Sequence, residues 1–234
     1  MNIAIIPARG GSKRIPRKNI RLFHGQPIIG YAIQCAQNSQ LFDRIIVSTD
    51  DEEIAAVAVS FGAEVPFFRS SKNADDYATT SEVLIEVLEK LKEQDTVPEW
   101  ACCIYPTTPL LHSTDLTNAY ELFKAKETDV VLAATAFDFP IQRAFELDEQ
   151  GNVHLREPNV ISARSQDLAP TFHDAGAFYF FKTLHLLNNR SLWNGTVRAI
   201  ALPSERVQDI DNEADWEMAL YKYQRIERHD QISG

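Results

Sequence analysis

Short, almost wholly apolar blocks alternate along the chain with longer blocks in which apolar residues recur every three or four positions. Residues 2–8 form one such apolar run, which breaks into a glycine-rich, basic loop. That is the pattern of a strand buried on both faces. Residues 27–39 read as a helix, with Pro27 suited to its first turn, where a missing N–H costs nothing. A second β-rich run at 44–49 leads into Asp50, Asp51, Glu52 and Glu53, which favour the positive end of a helix. Ile54, Val57, Ala58 and Phe61 give that helix its apolar face, and Gly62 its stop.

The alternation continues. Residues 64–69 predict a strand, and Val83, Leu84, Val87, Leu88 and Leu91 an apolar helical stripe. Residues 101–105 predict a strand closed by Pro106, residues 113–126 a helix capped by Ser113, and residues 129–137 a long strand. Further strands are expected at 176–182 and 197–202. A last helix carries Trp216, Ala219, Leu220 and Tyr223 on one stripe. The predicted class is α/β: a mostly parallel sheet with helices on both faces, in a Rossmann-like arrangement. Ligands in such sheets bind at the carboxyl ends of the strands. Residues 9–19, 105–109 and 208–211 all fall there.

Residues 138–175 break the rhythm. They hold short β-type stretches around Gln150-Gly151 and too many residues for a simple connection. They read as an arm inserted into a single domain spanning 1–234. Its apolar side chains (Phe139, Ile141, Phe145, Val153, Leu155, Val160, Ile161, Leu168) exceed what a solvated loop keeps exposed, which points to a partner surface.

Composition narrows the chemistry. A net charge of −10 repels anions overall, so a phosphate site requires a local basic cluster, and a broad nucleic-acid face is excluded. Cys35, Cys102 and Cys103 are odd in number and lack CxxC spacing. That argues against a disulfide framework or a zinc site and for a reducing cytoplasm. No apolar run is long enough for a secretory leader or a membrane span.

Five cations (Arg9, Lys13, Arg14, Arg17, Lys18) crowd into ten residues of this acidic chain. Gly10 and Gly11 allow backbone N–H groups to approach a ligand, and Ser12 adds a hydroxyl. The set suits a triphosphate, although Walker A spacing is absent and a solvated basic loop has the same composition. Asp209 and Asp211, at i and i+2 on an extended segment, point to one side and suit a hard cation such as Mg²⁺. Asn212 to Asp215 resembles a helix N-terminal box, so both aspartates are equally explained by a helix dipole. In the arm, Gln142, Arg143, Arg164, Gln166 and His173 gather polar chemistry. Arg143 or Arg164 suits a bidentate carboxylate clamp, and His173-Asp174 a hydrogen-bonded pair. Taken singly, each is equally a surface ion pair or a structural histidine.

Arg9-Gly10-Gly11-Ser12-Lys13, followed by Ile15-Pro16 and Lys18-Asn19, resembles the opening signature of the nonulosonic acid cytidylyltransferases, the CMP-sialic acid synthetases and their relatives. The resemblance runs on through Ser48-Thr49-Asp50-Asp51-Glu52, Tyr105-Pro106-Thr107-Thr108-Pro109 and Gln208-Asp209-Ile210-Asp211, covering nearly the whole chain in order. Arg14, Pro140-Ile141-Gln142-Arg143, Arg164-Ser165-Gln166-Asp167-Leu168 and His173-Asp174-Ala175-Gly176 are most similar to the members acting on pseudaminic acid. Tyr105 stands where sialic acid enzymes carry Gln.

The resemblance implies CMP transfer from CTP to the anomeric hydroxyl of a nine-carbon acid sugar by a Mg²⁺-dependent cytoplasmic homodimer that dimerises through the arm. It implies that Ala8, Arg9, Gly10, Gly11, Ser12, Lys18 and Asn19 hold CTP, with Arg69 and Thr80 near the base. For Arg69 a strand-end salt bridge, and for Thr79-Thr80 a helix cap, are the alternatives. Tyr105, Gln142, Arg143, Arg164, Gln166 and His173 are expected at the sugar, and Asp209 and Asp211 at the metal. By the same resemblance Arg9, Lys18 and Asp211 are expected to carry the catalysis, Asp211 either as the base or through the metal. Another acid sugar, such as legionaminic acid or N-acetylneuraminate, or a non-catalytic nucleotide-binding role, are the competing expectations.

Overall fold

The computed structural model of the chain describes residues 1–75, 77–125 and 127–233, the side chains of the last five excepted. In chain order the elements are β1 (Ile3–Pro7), β2 (Leu22–Phe23), β3 (Gln26–Pro27), α1 (Ile28–Ser39), β4 (Arg44–Ser48), α2 (Glu52–Ser60), α3 (Thr80–Glu93) and β5 (Trp100–Ile104). They continue with α4 (Ser113–Phe123), β6 (Val130–Ala136), β7 (Phe145–Leu147), β8 (Val153–Leu155), β9 (Phe172–Lys182), α5 (Thr183–Asn189), β10 (Val197–Ala201) and α6 (Glu213–Ser233).

The central sheet has the order β10-β6-β9-β5-β1-β4. Every neighbouring pair is parallel except those made by β9, which runs antiparallel to both β5 and β6. Alternate residues of each strand serve opposite layers. Ala4 and Ile6 of β1 pack with Ile29 and Ile33 of α1, Ile54 of α2 and Leu116 of α4. Ile3 and Ile5 pack with Leu84 and Leu88 of α3 and Leu186 of α5. The expected stripe on α6 closes a third cluster, in which Trp216 and Ala219 meet Ile15, Phe23, Ile28 and Ile210. This third cluster joins the basic loop to the aspartate segment. No helix among the described residues is long and apolar enough to cross a membrane.

Four local expectations are corrected. Residues 64–69 form no strand; a single bridge joins Glu64 to Ile46 before Pro66, which has no N–H to extend a ladder. Pro27 is the N-cap of α1 rather than part of its first turn. Helix α4 is capped at His112, whose N–H donates to Asp115 Oδ2 at 3.0 Å, rather than at Ser113. It ends at Phe123, and the expected terminus at Lys126 lies outside the described residues. Strand β9 starts at Phe172, with His173 paired to Thr135 of β6, so the last residues assigned to the arm belong to the central sheet. The arm itself carries the β7–β8 hairpin at the expected place.

Candidate active site

The carboxyl ends of β1 and β5 and the amino end of antiparallel β9 open into a polar cleft of about 730 Å³. Its lining includes Arg9, Ser12, Lys13, Arg14, Lys18 and Asn19 from the basic loop, Tyr105 after β5, Asp174 and Tyr179 on β9, and Asp209 with Asp211 before α6. The three segments expected at strand ends therefore converge.

The loop is folded by its own sequence. Gly10 donates its N–H to Asp50 Oδ1 at 2.9 Å, and a Cβ there would sit 2.8 Å from Asp51 Oδ2, so no larger residue fits without a shift. The buried Asn19 side chain donates to the Arg9 carbonyl at 2.9 Å, and Ala8 N–H donates to the Ser48 carbonyl. Ser12 N–H turns back to the Gly10 carbonyl. Arg9 donates to the Asp75 carbonyl at 2.9 Å. Arg17 does not line this cleft. It adopts a left-handed backbone (φ 56) and forks onto Asp51, the N-cap of α2, and onto Glu53. The Arg17 hydrogen bond, supported by the Ile54 and Glu53 amides, holds the Asp51 carboxyl at about 2 against partial burial. Arg17 thus anchors the loop instead of serving an anion.

Across the cleft, Lys18 Nζ donates to the Ile210 carbonyl at 2.5 Å and stands 4.0 Å from Asp211. Burial lowers its pKa, against the opposing pull of Asp211 and Asp209. Arg14 pairs with Asp211 at 2.9 Å. Asp209 is raised, first by loss of water and then by its neighbour Asp211. Asp215 accepts the Asp211 and Asn212 N–H groups while Asn212 caps Asp215, so the helix box exists and leaves the Asp209 and Asp211 carboxylates facing the cleft. Two like-charged oxygen donors, one already disfavoured as an anion, fit a hard cation that the substrate's own oxygens would complete. No group of three or more His, Cys, Asp or Glu among the described residues gathers to hold a metal unaided.

The floor is a tyrosine pair. Tyr105 Oη lies 2.7 Å from Thr80 Oγ1, its ring meets Tyr179 edge-on at 6.0 Å, and Tyr179 Oη donates to Asp174 Oδ2. Burial pushes both phenols up, so they stay neutral donors. Asp174 also accepts the Gly176 N–H at 2.8 Å. The sequence pointed to Asp174 only as the partner of His173 and did not point to Tyr179. Tyr179 was hidden in the run Phe178–Phe181, where its hydroxyl was the signal: three phenylalanines need no polar end, and a tyrosine among them does.

The other expected residues divide. Thr80 reaches the site only through Tyr105, while Thr79 forms a capping box with Glu82. Arg69 is buried beneath the end of β4, giving Nε to Ser48 Oγ and Nη2 to the Ser48 carbonyl, and it is not on the cleft wall. His173 lines an adjoining cleft of about 630 Å³ that shares Asp174, Asp209 and Asp211 with the first. Its ring bonds the Asp174 carbonyl, not the carboxylate. Gln142 donates to the Ala169 carbonyl and Arg143 to the Ala163 carbonyl, so both brace the arm. Arg164 and Gln166 are exposed on it, and none of these four lines either cleft.

A doubly wound sheet that sets a glycine-rich cationic loop against paired carboxylates defines a nucleotidyltransferase-type site. The chain belongs to the cytidylyltransferase family, whose model it matches over residues 3–219. It is 45% identical over 223 residues to a pseudaminic acid cytidylyltransferase of Campylobacter jejuni subsp. jejuni serotype O:2, covering 94% of this chain and 96% of that one. It is 32% identical to a CMP-N,N'-diacetyllegionaminic acid synthase of Legionella pneumophila, covering 92% of each. In fold it resembles a CMP:2-keto-3-deoxy-manno-octonic acid synthetase solved with CTP (TM-score 0.71, 17% identity, 96% of this chain and 98% of that one).

Proposed function

We propose that this chain transfers CMP from CTP to the anomeric hydroxyl of pseudaminic acid and releases pyrophosphate. The observation that carries the reading is one cleft lined by Arg9, Lys13 and Lys18 together with Asp209 and Asp211, in a chain 45% identical to a pseudaminic acid cytidylyltransferase. The cationic loop is the seat of the triphosphate. There Arg9 and Lys18 offset charge as the α-phosphorus passes between the incoming hydroxyl and departing pyrophosphate. Asp209 and Asp211 are the residues to hold Mg²⁺, which supplies further charge neutralisation at the phosphate oxygens when bound. Tyr105, fixed by Thr80 and Tyr179, presents a neutral hydroxyl where the acceptor enters.

A homodimer formed through the arm accords with the exposure of Phe139 (83%), Phe145 and Leu147 there. A monomer by light scattering at working concentration would contradict it. Buried, free Cys35, Cys102 and Cys103 suit a reducing cytoplasm.

The deciding experiment feeds pseudaminic acid, legionaminic acid and N-acetylneuraminate to the protein with CTP and Mg²⁺ and measures pyrophosphate. Pseudaminic acid should be favoured over N-acetylneuraminate by roughly 10⁴-fold, the discrimination available to a site that pairs a specific polar group. Equal turnover of the two would refute the sugar assignment and leave CMP transfer standing. No pyrophosphate from any sugar would refute the reaction.

A further inference from the structure

The aspartate segment hangs between two anchors. Upstream, the chain leaves the sheet at Leu202, whose N–H donates to the Ala134 carbonyl at 2.7 Å and whose own carbonyl accepts Thr135 Oγ1 at 3.1 Å. Downstream, Ile210 is buried against Ile15 and Trp216, and α6 begins at Glu213. Between the two, a single short 3-10 turn (Ser204–Arg206) is the only regular structure, and residues 207–211 have no ladder partner to fix their register.

Arg206 supplies what the missing ladder does not. Its guanidinium forks onto Asp115, with Nη1 to Oδ2 at 2.5 Å and Nη2 to Oδ1 at 2.9 Å. The two side chains are only 19% and 7% exposed. Asp115 is itself held by the His112 N–H at the start of α4, a helix seated in the core. On the far side, Lys222 of α6 donates to the Ser204 and Val207 carbonyls at 3.0 and 2.6 Å. A planar fork on a fixed carboxylate sets direction as well as distance. A buried ion pair contributes little net stability compared with an apolar pair of the same size, so its value here is geometric.

We propose that Arg206, braced by Asp115, is a positioning residue that sets the register of Asp209 and Asp211 for the metal. The proposal rests on the assignment of those two carboxylates to Mg²⁺.

The test compares wild type with Arg206→Met, Arg206→Lys and the double variant Asp115→Leu/Arg206→Met. Mn²⁺ binding in the presence of CTP is read by electron paramagnetic resonance. Amide exchange of residues 207–211 is read without metal, and Tm is read alongside. Loss of an outer-shell partner typically costs 10- to 100-fold in metal affinity, and that fall is expected for Arg206→Met together with faster exchange at 207–211. Arg206→Lys should recover part of the affinity, since one contact of the fork survives. The double variant should regain Tm but not Mn²⁺ affinity, and it decides the matter if Arg206→Met folds poorly. Mn²⁺ binding within twofold of wild type in the double variant, with binding lost in Asp211→Asn, would overturn the brace alone. A wild type that binds no Mn²⁺ beside CTP would overturn the metal assignment and the brace with it.

Discussion

Lys18 is the cation whose removal should cost the most for the least structural damage. Its side chain is 20% exposed, donates to the Ile210 carbonyl at 2.5 Å and lines the cleft. Burial has already lowered its pKa, so it is poorly solvated before CTP arrives and gains when it meets a polyanion. Lys18→Met keeps the stem and removes the charge. A hydrogen bond to a charged group contributes about 1.5–3 kcal/mol. At about 1.4 kcal/mol per tenfold, kcat/KM for CTP should fall about 10- to 150-fold. Stability should change by no more than about 1 kcal/mol, because relief of ammonium desolvation offsets the lost bond to Ile210. For a chain of this length that is a Tm shift of about 2–4 °C. The assay is pyrophosphate release with CTP varied at saturating sugar, run beside thermal melts. A kcat/KM within twofold of wild type would return the basic loop to a solvated surface.

Three further outcomes are expected. Asp211→Asn should abolish turnover while leaving the fold intact, because the Asp211 N–H bond to Asp215 is kept and the ion pair its carboxylate loses is with the exposed Arg14; surviving activity with intact metal binding would remove Asp211 from the metal. Arg17→Gln should lower stability by about 1 kcal/mol through loss of its pairing to the α2 cap, and should reduce kcat/KM for CTP less than Lys18→Met does; the reverse order in the kinetics would contradict the division of the five cations. Glu86 is held at about 2, since Lys90, the Ser70 N–H, Asn73 and the Ser70 hydroxyl outweigh the burial that alone would raise it. A carboxyl depressed in the folded state stabilises above its unfolded pKa, and that contribution disappears as pH falls through the folded value. Urea unfolding should therefore show a loss on the order of 2 kcal/mol between about pH 5 and pH 2 that Glu86→Gln lacks; parallel pH curves for the two proteins would refute it.

The elements legible from the sequence were those whose burial leaves a period. Buried apolar runs gave β1, β4, β5 and β6, a short β-type run gave the half-exposed edge strand β10, and apolar stripes gave α2, α3 and α6. What stayed hidden depended on partners far along the chain. The antiparallel sense of β9 is set by its insertion between β5 and β6, and nothing in its own residues encodes direction. The β2–β3 hairpin turns on His24-Gly25, both at positive φ, and is too short for a period to register. In the site, charge and glycine placed the loop correctly, but composition could not separate Arg17 from Lys18. Their difference is conformational: the left-handed turn at Arg17 sends its side chain to α2, and the next residue points back into the cleft. For Arg69 the resemblance implied a place near the base and the strand end offered a pairing instead; its guanidinium gives Nε and Nη2 to the Ser48 hydroxyl and carbonyl, a partner at the end of β4 that composition does not reveal.

The same geometry limits where sugar choice can reside. Of the six residues expected at the sugar, Tyr105 lines the first cleft and His173 the second. Gln142 and Arg143 are turned inward to carbonyls of their own arm, and Arg164 and Gln166 lie exposed on it. On the proposed reading, the groups of one chain left to discriminate are His173 and the set Tyr105, Tyr179 and Asp174, in which neutral phenols, backed by the Thr80 hydroxyl, end on one carboxylate. Such a set rejects an analogue by leaving a buried donor unpaired, which costs more than a lost methylene contact. In the proposed arm-mediated dimer, Arg164 and Gln166 would act on the second copy's cleft. The exposed apolar residues around them are what an arm reaching a second copy would need.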